Sequence, residues 1–538
     1  MAIQKIIESL TVKEYLFFIV LITVVYIFNF YYKYFTRTNP LPGPFPLPFI
    51  GNIHNVGLDV RKFYKECRQK YGDTCEVMLM GLRCIVLTRP DDIEKILSPA
   101  SKGDAYIRRF PYTEGEAEIG HYGYGLLNNI SYKHWKRNRQ SFTHLLAPKF
   151  MDTVINSANN LYEELSEYWH TLGIQRNNNV NADNWALEID FPAWLYGYSN
   201  DLISILITGE RTYSMVSYYN KISNIKSKFF NALIEDEDTF VQSIIKHIDG
   251  VEFFMFINPF IRHYAPIIRD KSISILKNRD YLFGRLRMVI KKRREEIEKM
   301  SADTEMKTDM LTSLIIANKI RDTDSITDKP MNDEEIRGNL LEAFMGGTET
   351  GPNAFCYITY YLCKHPHIKQ KVLSEIDSVF PKSSNKFSVT HDDLLKLKYC
   401  EAVIKETLRL MPVIGLNTRY VTEECKIAGY KWPAGTLFHL DVLSTNRDPE
   451  LWPNPEVYDP DRFYNNDQSD KKFLPIFGGG LRICPGRKLA VVELLILMAS
   501  VYKNFNLDLT NTHESLKIST NGVIPKVLEM NVRISPRI

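Results

Sequence analysis

Phe477-Gly-Gly-Gly-Leu-Arg-Ile-Cys-Pro-Gly486 is the stretch whose reading decides the fold of this chain. A cysteine that ligates a metal as its thiolate must sit on a loop able to approach the metal closely. The glycines around Cys484 permit that approach and the unusual backbone angles it demands. Arg482 is placed to pair with an anionic carboxylate, and Phe477 to shield the sulfur from water. After Pro485 a helical pattern runs from Arg487 to Val501, so the sulfur lies near a helix N-terminus, where a thiolate is stabilised. Pro485 has no N–H, so hydrogen bonds to the sulfur must come from Gly486 and Arg487.

Three further motifs precede or accompany this loop. Glu406 and Arg409 stand three apart on a helical stretch and share a face; Pro460-Asp-Arg-Phe463 follows them. Gly346-Gly-Thr-Glu-Thr350 places two adjacent glycines inside a helix, at about 1 kcal/mol each against alanine, so a bulky group pressed against the helix is expected there. Pro352 removes the bond to the carbonyl of residue 348 and should kink the helix at that point. Trp135-Lys-Arg-Asn-Arg139 sets an indole and a guanidinium four apart on one face, where both can reach one acidic group.

Taken in order along residues 135 to 486, these motifs resemble those of the cytochrome P-450 family. Phe477, Gly480, Arg482, Cys484 and Gly486 match its haem-binding signature F-x-x-G-x-R-x-C-x-G. Gly346, Gly347, Glu349 and Thr350 match its pattern [AG]-G-x-[DE]-T. The resemblance implies a mainly α fold with small β-sheets and a haem b between a long central helix and the cysteine-loop helix. Cys484 would be the iron ligand, and Trp135, Arg139, Arg419 and Arg482 would hold the haem propionates, with His439 as a further candidate. Thr350 and Glu349 would deliver protons during oxygen activation. Gly351 stands where the family often has a hydroxyl residue, which alters the details of that delivery. Glu406, Arg409 and Arg462 would form a buried structural triad.

The activity so implied is a monooxygenase that inserts one atom of O2 into a lipophilic substrate. Its electrons would come from NADPH through a cytochrome reductase, with cytochrome b5 as a further donor, since this chain has no flavin or nicotinamide motif. Lys136, Arg137 and Lys488 could present a basic docking face. By the same resemblance the substrate pocket draws on Tyr106 to Leu127, on Leu340, Ala343, Phe344 and Gly347, on Val413, Ile414 and Asn417, and on Asn521 to Val523. Two rival readings are a haem-thiolate isomerase or dehydratase of hydroperoxides needing no reductase, and a non-catalytic, membrane-tethered haem-binding protein. Glu349 and Thr350 speak against the first, and the intact cysteine and oxygen-site motifs against the second.

The N-terminal end agrees with a lipophilic substrate. Tyr15 to Tyr32 contains no charged residue, and these 18 residues approach the length needed to cross a hydrocarbon core. Lys33 and Arg37 follow, a bias that puts the body of the protein on the cytoplasmic side, and the resemblance implies that the membrane is that of the endoplasmic reticulum. Pro40 to Pro48 then holds five prolines in nine residues, a stiff spacer. The expected organisation is an anchor over 1–34, a hinge over 35–50 and one catalytic domain over 51–538. The balance of 67 basic against 64 acidic residues gives no reason to invoke nucleic acid. The 8 cysteines show no C-x-x-C spacing and read as reduced. Within the body, Cys75–Met80 and Cys84–Thr88 read as a hairpin, and Asn332 to about Cys363 and Asp392 to Leu410 as helices. Tyr281–Met300 reads as an amphipathic helix, and Arg419 to His439 as short strands.

Overall fold

In the computed structural model the uncharged stretch near the N-terminus forms a helix, α1 (Val12–Phe35). The structure describes residues 11–537 except 58, 80, 99–104, 122, 128, 130, 145–147, 177–183, 229–232, 302–305, 320–330, 382–386, 465–472 and 520–524. Thr11 and Glu14 close the start of α1 with a reciprocal capping box. Among the described residues α1 is the one helix long and apolar enough to span a membrane, and none of it is buried in protein.

The end of α1 is clasped by the proline-rich segment. Tyr26 stacks on Phe49 at 4.3 Å and Tyr31 on Phe45 at 5.5 Å between ring centroids. Beyond the helix, Arg37 forms an ion pair with the buried Glu76. Arg83 reaches the same carboxylate through Nε at 2.9 Å and donates to the carbonyls of Thr38 and Asn39 at 2.6 and 2.7 Å. Gly43 is required here, because a Cβ would stand 2.0 Å from the carbonyl oxygen of Glu76. The spacer is therefore laid along a strand and held there by polar contacts.

That strand is β1 (Thr74–Leu79), which pairs with β2 (Leu82–Leu87) as the expected hairpin, turned by Gly81 at φ +80°. The sheet continues with β3 (Leu416–Tyr420) and β4 (Leu437–Asp441) in the order β1-β2-β4-β3, where the β2–β4 pairing is parallel. Side chains alternate across it. One face (Cys75, Val77, Cys84, Val86, Leu437) packs on α2 (Val60–Tyr71) through Phe63, Tyr64 and Cys67. The opposite face (Ile85, Leu87, Phe438, Leu440) covers Ile93, Ile96, Leu97 and Trp432.

The larger part of the body is helical. We number α3 (Tyr132–His144), α4 (Pro148–Arg176), α5 (Phe191–Thr208), α6 (Leu233–Phe256), α7 (Pro266–Lys299), α8 (Asp333–Gly347), α9 (Thr350–Lys364), α10 (Lys398–Leu410) and α11 (Arg487–Asn504). Trp169 of α4, Trp194 of α5, Phe355 of α9 and Tyr502 of α11 meet in one core cluster, and α6, α7 and α8 meet in another. A three-stranded sheet, with Asn531–Pro536 between Leu187–Asp190 and Phe505–Leu509, closes the far side.

Two of the expected helices are divided. Asn332 to Cys363 is two helices, broken at Thr348 and Glu349. Thr348 N still bonds Phe344 O at 3.0 Å, but Pro352 offers no N–H to the carbonyl of Thr348, and the turn opens where the proline predicts. Asp392 to Leu410 is likewise a short turn (His391–Leu394), capped by Thr390 and Asp393, followed by α10. The amphipathic stretch at Tyr281 to Met300 is the second half of the longer α7. All eight cysteines are free of disulfides.

Replacing Glu76 by Ala strands two partly buried guanidiniums, and the expected cost is about 2 kcal/mol of unfolding free energy. Denaturant unfolding of the full chain would show it, and an unchanged midpoint would mean that Glu76 does not hold the spacer to the sheet.

Candidate active site

The loop that carries Cys484 is fixed from both ends. Cys484 N donates to Phe477 O at 2.9 Å and Gly478 N to Pro475 O at 2.9 Å. Gly480 adopts φ +60°, and a Cβ on it would lie 2.2 Å from the carbonyl of Leu97, so side chains are excluded twice over. The chain then passes Pro485 and enters α11. Burial pushes the Cys484 thiol up. Opposing it, largest first, are the backbone N–H of Gly486 and the guanidiniums of Arg109, Arg139 and Arg487. The amide that the proline cannot supply thus comes from Gly486.

Around this sulfur the fold buries positive charge. Arg482 donates to the carbonyls of Leu126 and Leu127, to the latter at 2.7 Å, and its guanidinium carbon lies 5.2 Å from the Trp135 ring. Burial, then Arg109, then Arg419 drive Arg482 well below its usual range. Arg419, on β3, is pushed down to about 9 by burial and by Arg109. Nε of Arg109 and Nε of Arg482 are sealed from solvent with no hydrogen-bond partner. Glu342 of α8 offsets part of the charge felt by Arg109 and Arg482. Arg109 carries no motif, and sequence reasoning placed it only within a pocket-lining loop.

His439 does not join this group. It is on β4 opposite Thr418, whereas Arg419 is opposite Phe438, so the two side chains leave opposite faces of the sheet. His439 Nδ1 meets the hydroxyl of Tyr64 at 2.7 Å, and burial pushes its imidazole down to about 4.

On α8, Gly346 is exposed although it lies inside the helix, and a Cβ there would meet nothing within 4 Å. Ala343, one turn earlier, is half-buried, and Thr350 Oγ1 donates to Gly346 O at 2.7 Å. These three residues border an open space. Gly347 does not: its Cβ would stand 2.7 Å from Ile203 of α5, so that glycine serves helix packing instead. Leu340 and Phe344 also turn away, sunk in the helical core, with Phe344 against Phe240 at 5.3 Å. Val413, Ile414 and Asn417 are half-buried, and Asn417 shares the sheet face of Arg419. Asn521 to Val523 lie outside the described residues.

At the helix break, Glu349 Oε1 is 2.7 Å from Lys526 Nζ, which stands 3.6 Å from Asp249 at the surface. Burial raises the Glu349 carboxyl and Lys526 opposes the shift. Gly351 proves to be the place where Glu493 of α11 comes close: a Cβ would sit 3.2 Å from its Oε2. Ser199 Oγ lies 3.1 Å from Glu493 Oε1 and 3.3 Å from Gly347 O. Burial pushes Glu493 up to about 7.

On α10, Glu406 holds Arg409 with both carboxylate oxygens, at 2.7 and 2.8 Å, and Arg462 Nε lies 3.5 Å from Glu406. Arg409 also donates to the carbonyls of Asn446, Pro455 and Val457. The three expected residues are together.

Comparison with known proteins places these observations. The family model described as Cytochrome P450 matches residues 41–531. Cytochrome P450 3A28 of Bos taurus is 25% identical, aligned over 99% of this chain and 98% of its own. Cytochrome P450 3A7 of Homo sapiens is 27% identical over 97% and 96%. Among solved structures, retinoic acid bound cyanobacterial CYP120A1 is similar with a TM-score of 0.70 at 21% identity, over 93% of this chain and 100% of that one. The residues present fit a haem. A buried group of guanidiniums with unpartnered Nε atoms near the Cys484 sulfur calls for an anion, and Gly346 leaves open space on its side of α8.

Glu493→Gln tests the carboxyl at the break. The folded chain binds this proton more tightly than the unfolded chain, so stability falls as pH rises from about 4.5 to about 7. The glutamine variant is expected to lose that part of the slope and to be the more stable protein at pH 8, as thermal unfolding across the range would record.

Proposed function

The chain belongs to the cytochrome P450 family, and from that membership we propose how it works and on what. It is a cytochrome P450 monooxygenase; we assign it a lipophilic organic substrate and electrons from NADPH through a membrane-bound flavoprotein reductase. The observation that carries the reading is Cys484, held by its glycine-rich loop among buried guanidiniums. A haem b bound there supplies the iron chemistry that activates O2.

This chain's own residues do the rest. Cys484 provides the thiolate, with the Gly486 N–H tempering its charge. Arg109, Arg139, Arg419 and Arg482, beside Trp135, hold the cofactor's carboxylates, and Phe477 and Gly480 shape the loop. Thr350 presents a hydroxyl to the open space. Its proton rests on Gly346 O, leaving its lone pairs free to accept. Glu349 is linked through Lys526 to the exposed Asp249, a route by which protons reach the break from solvent. Ala343, Val413, Ile414 and Asn417 line the substrate side, and Glu406, Arg409 and Arg462 keep the underside of the loop rigid.

The apolar α1, clasped at its end by Phe45 and Phe49, supports an anchor in the endoplasmic reticulum membrane with the catalytic body facing the cytoplasm. For docking of a reductase or cytochrome b5, Lys136 and Lys488 are exposed. Arg137 is instead ion-paired with Glu335 and is withdrawn from that face.

The reduced, carbon-monoxide-bound protein should show a strongly red-shifted Soret band that disappears in Cys484→Ala; a band that survives the substitution would refute thiolate ligation. Thr350→Ala should keep the band and the bound haem while NADPH consumption becomes uncoupled from product formation, measured with purified reductase. Unchanged coupling would remove Thr350 from proton handling.

A further inference from the structure

Five buried polar atoms cluster where α6, α8 and the loop before α3 meet, and none has a hydrogen-bond partner: His121 Nδ1, His247 Nδ1 and Nε2, Glu342 Oε1 and Arg337 Nη1. They are neighbours. The rings of His121 and His247 are stacked, 5.8 Å apart and 20° from parallel. His121 Nδ1 stands 3.7 Å from Glu342 Oε1, beyond hydrogen-bond reach, so neither satisfies the other. His121 Nε2 rests against Met345 Sδ at 3.2 Å. Leaving one such atom unpaired is costly, and native proteins rarely gather several without a use for them.

The chemistry of the cluster narrows what it would bind. Burial pushes His121 down to about 4 and His247 well below its usual value, with Arg337 adding to both shifts and Arg279 to the second. Both imidazoles are therefore neutral, each with one N–H and one lone pair. Arg337 is already paired with Glu334 at 2.9 Å. Glu342 gives its Oε2 to the N–H groups of Leu126 and Leu127, and burial lifts its carboxyl to about 7. A carboxylate entering here would oppose Glu342, and an ammonium would oppose Arg337. A neutral alcohol or carbonyl oxygen matches the mixed donors and acceptors.

The position fits a substrate site. Glu342 and Gly346 are four apart on α8, on one face, and Gly346 borders the open space. We propose that His121, His247 and Glu342 form the polar end of the substrate site, and that the substrate is a neutral lipophile carrying a hydroxyl or ketone oxygen. This deepens, and rests on, the monooxygenase reading.

The test is a spectral titration of the full-length holoenzyme with dodecane, dodecan-1-ol, dodecan-2-one, dodecanoate and dodecyltrimethylammonium. The alcohol and ketone are expected to bind about tenfold more tightly than the hydrocarbon and both ions. His247→Phe and His121→Phe should erase that preference while leaving hydrocarbon binding and the red-shifted carbon-monoxide band intact, and His247→Gln should restore part of it. A wild-type enzyme with the band but no preference overturns this proposal alone, as does a preference that survives both phenylalanine substitutions. A wild type without the band overturns the reading on which it rests.

Discussion

Bringing guanidiniums out of water beside one another is among the most expensive things a fold can do, because each loses hydration and each repels the others in a medium that screens poorly. This chain does it at Arg109, Arg419 and Arg482, with Arg139 close to the same sulfur. Elsewhere in the fold it shows the other way of burying an arginine. Arg409 has both oxygens of Glu406 and three backbone carbonyls around it. Losing a partner there would cost on the order of 3–5 kcal/mol. Arg409 is complete as it stands, which fits the structural role proposed for it; Arg109 and Arg482 keep unpartnered Nε atoms, which fits the anion-holding role proposed for them. The difference in satisfaction, rather than in burial, separates the two roles.

The second constraint is the interruption between α8 and α9, to which each small or rigid residue of 346–352 contributes differently. Gly346 leaves the space beside the helix empty. Gly347 lets α5 approach through Ile203, and Gly351 admits the carboxyl of Glu493. Pro352 releases the carbonyl of Thr348 from the helical ladder. A run that looks like a flaw in one long helix is thus a set of separate accommodations, and together they bring Thr350, Glu349 and Glu493 to one short length of backbone.

Much of this was legible before any coordinates. The glycine-rich cysteine loop and the kink at Pro352 follow from residue chemistry at fixed spacing, whereas the triad follows only from the family resemblance, since Glu406 and Arg409 three apart on a helix say little by themselves. The errors arose where tertiary contact decides. Leu340 and Phe344 differ from Ala343 only in which side of the helix they occupy, and the side depends on where α6 and α5 pack. His439 was misplaced because its face depends on the register between β3 and β4, which sequence does not carry. Arg109 was missed because a loop arginine has no periodic or motif signal; only the absence of a partner reveals it. Arg137 looked like an exposed base, yet the capping box at Asn332 turns Glu335 to where the guanidinium reaches it.

The buried charges and the cysteine are also linked through one proton. In the polypeptide alone, burial favours the Cys484 thiol, while Gly486 N–H and the nearby guanidiniums favour the thiolate. Ligation of a metal requires the thiolate, so it releases that proton. On the proposed reading, carboxylates of a bound haem would in the same event satisfy guanidiniums otherwise offset by Glu342 and the Cys484 sulfur. Each change makes the other easier: neutralising the cations removes their repulsion, and deprotonating the sulfur adds a negative charge to their midst. The polypeptide has therefore placed two separate costs, a raised thiol and an unbalanced cationic group, where a single ligand relieves both. Binding free energy at this site then becomes folding free energy for the loop, β3 and the start of α11 together.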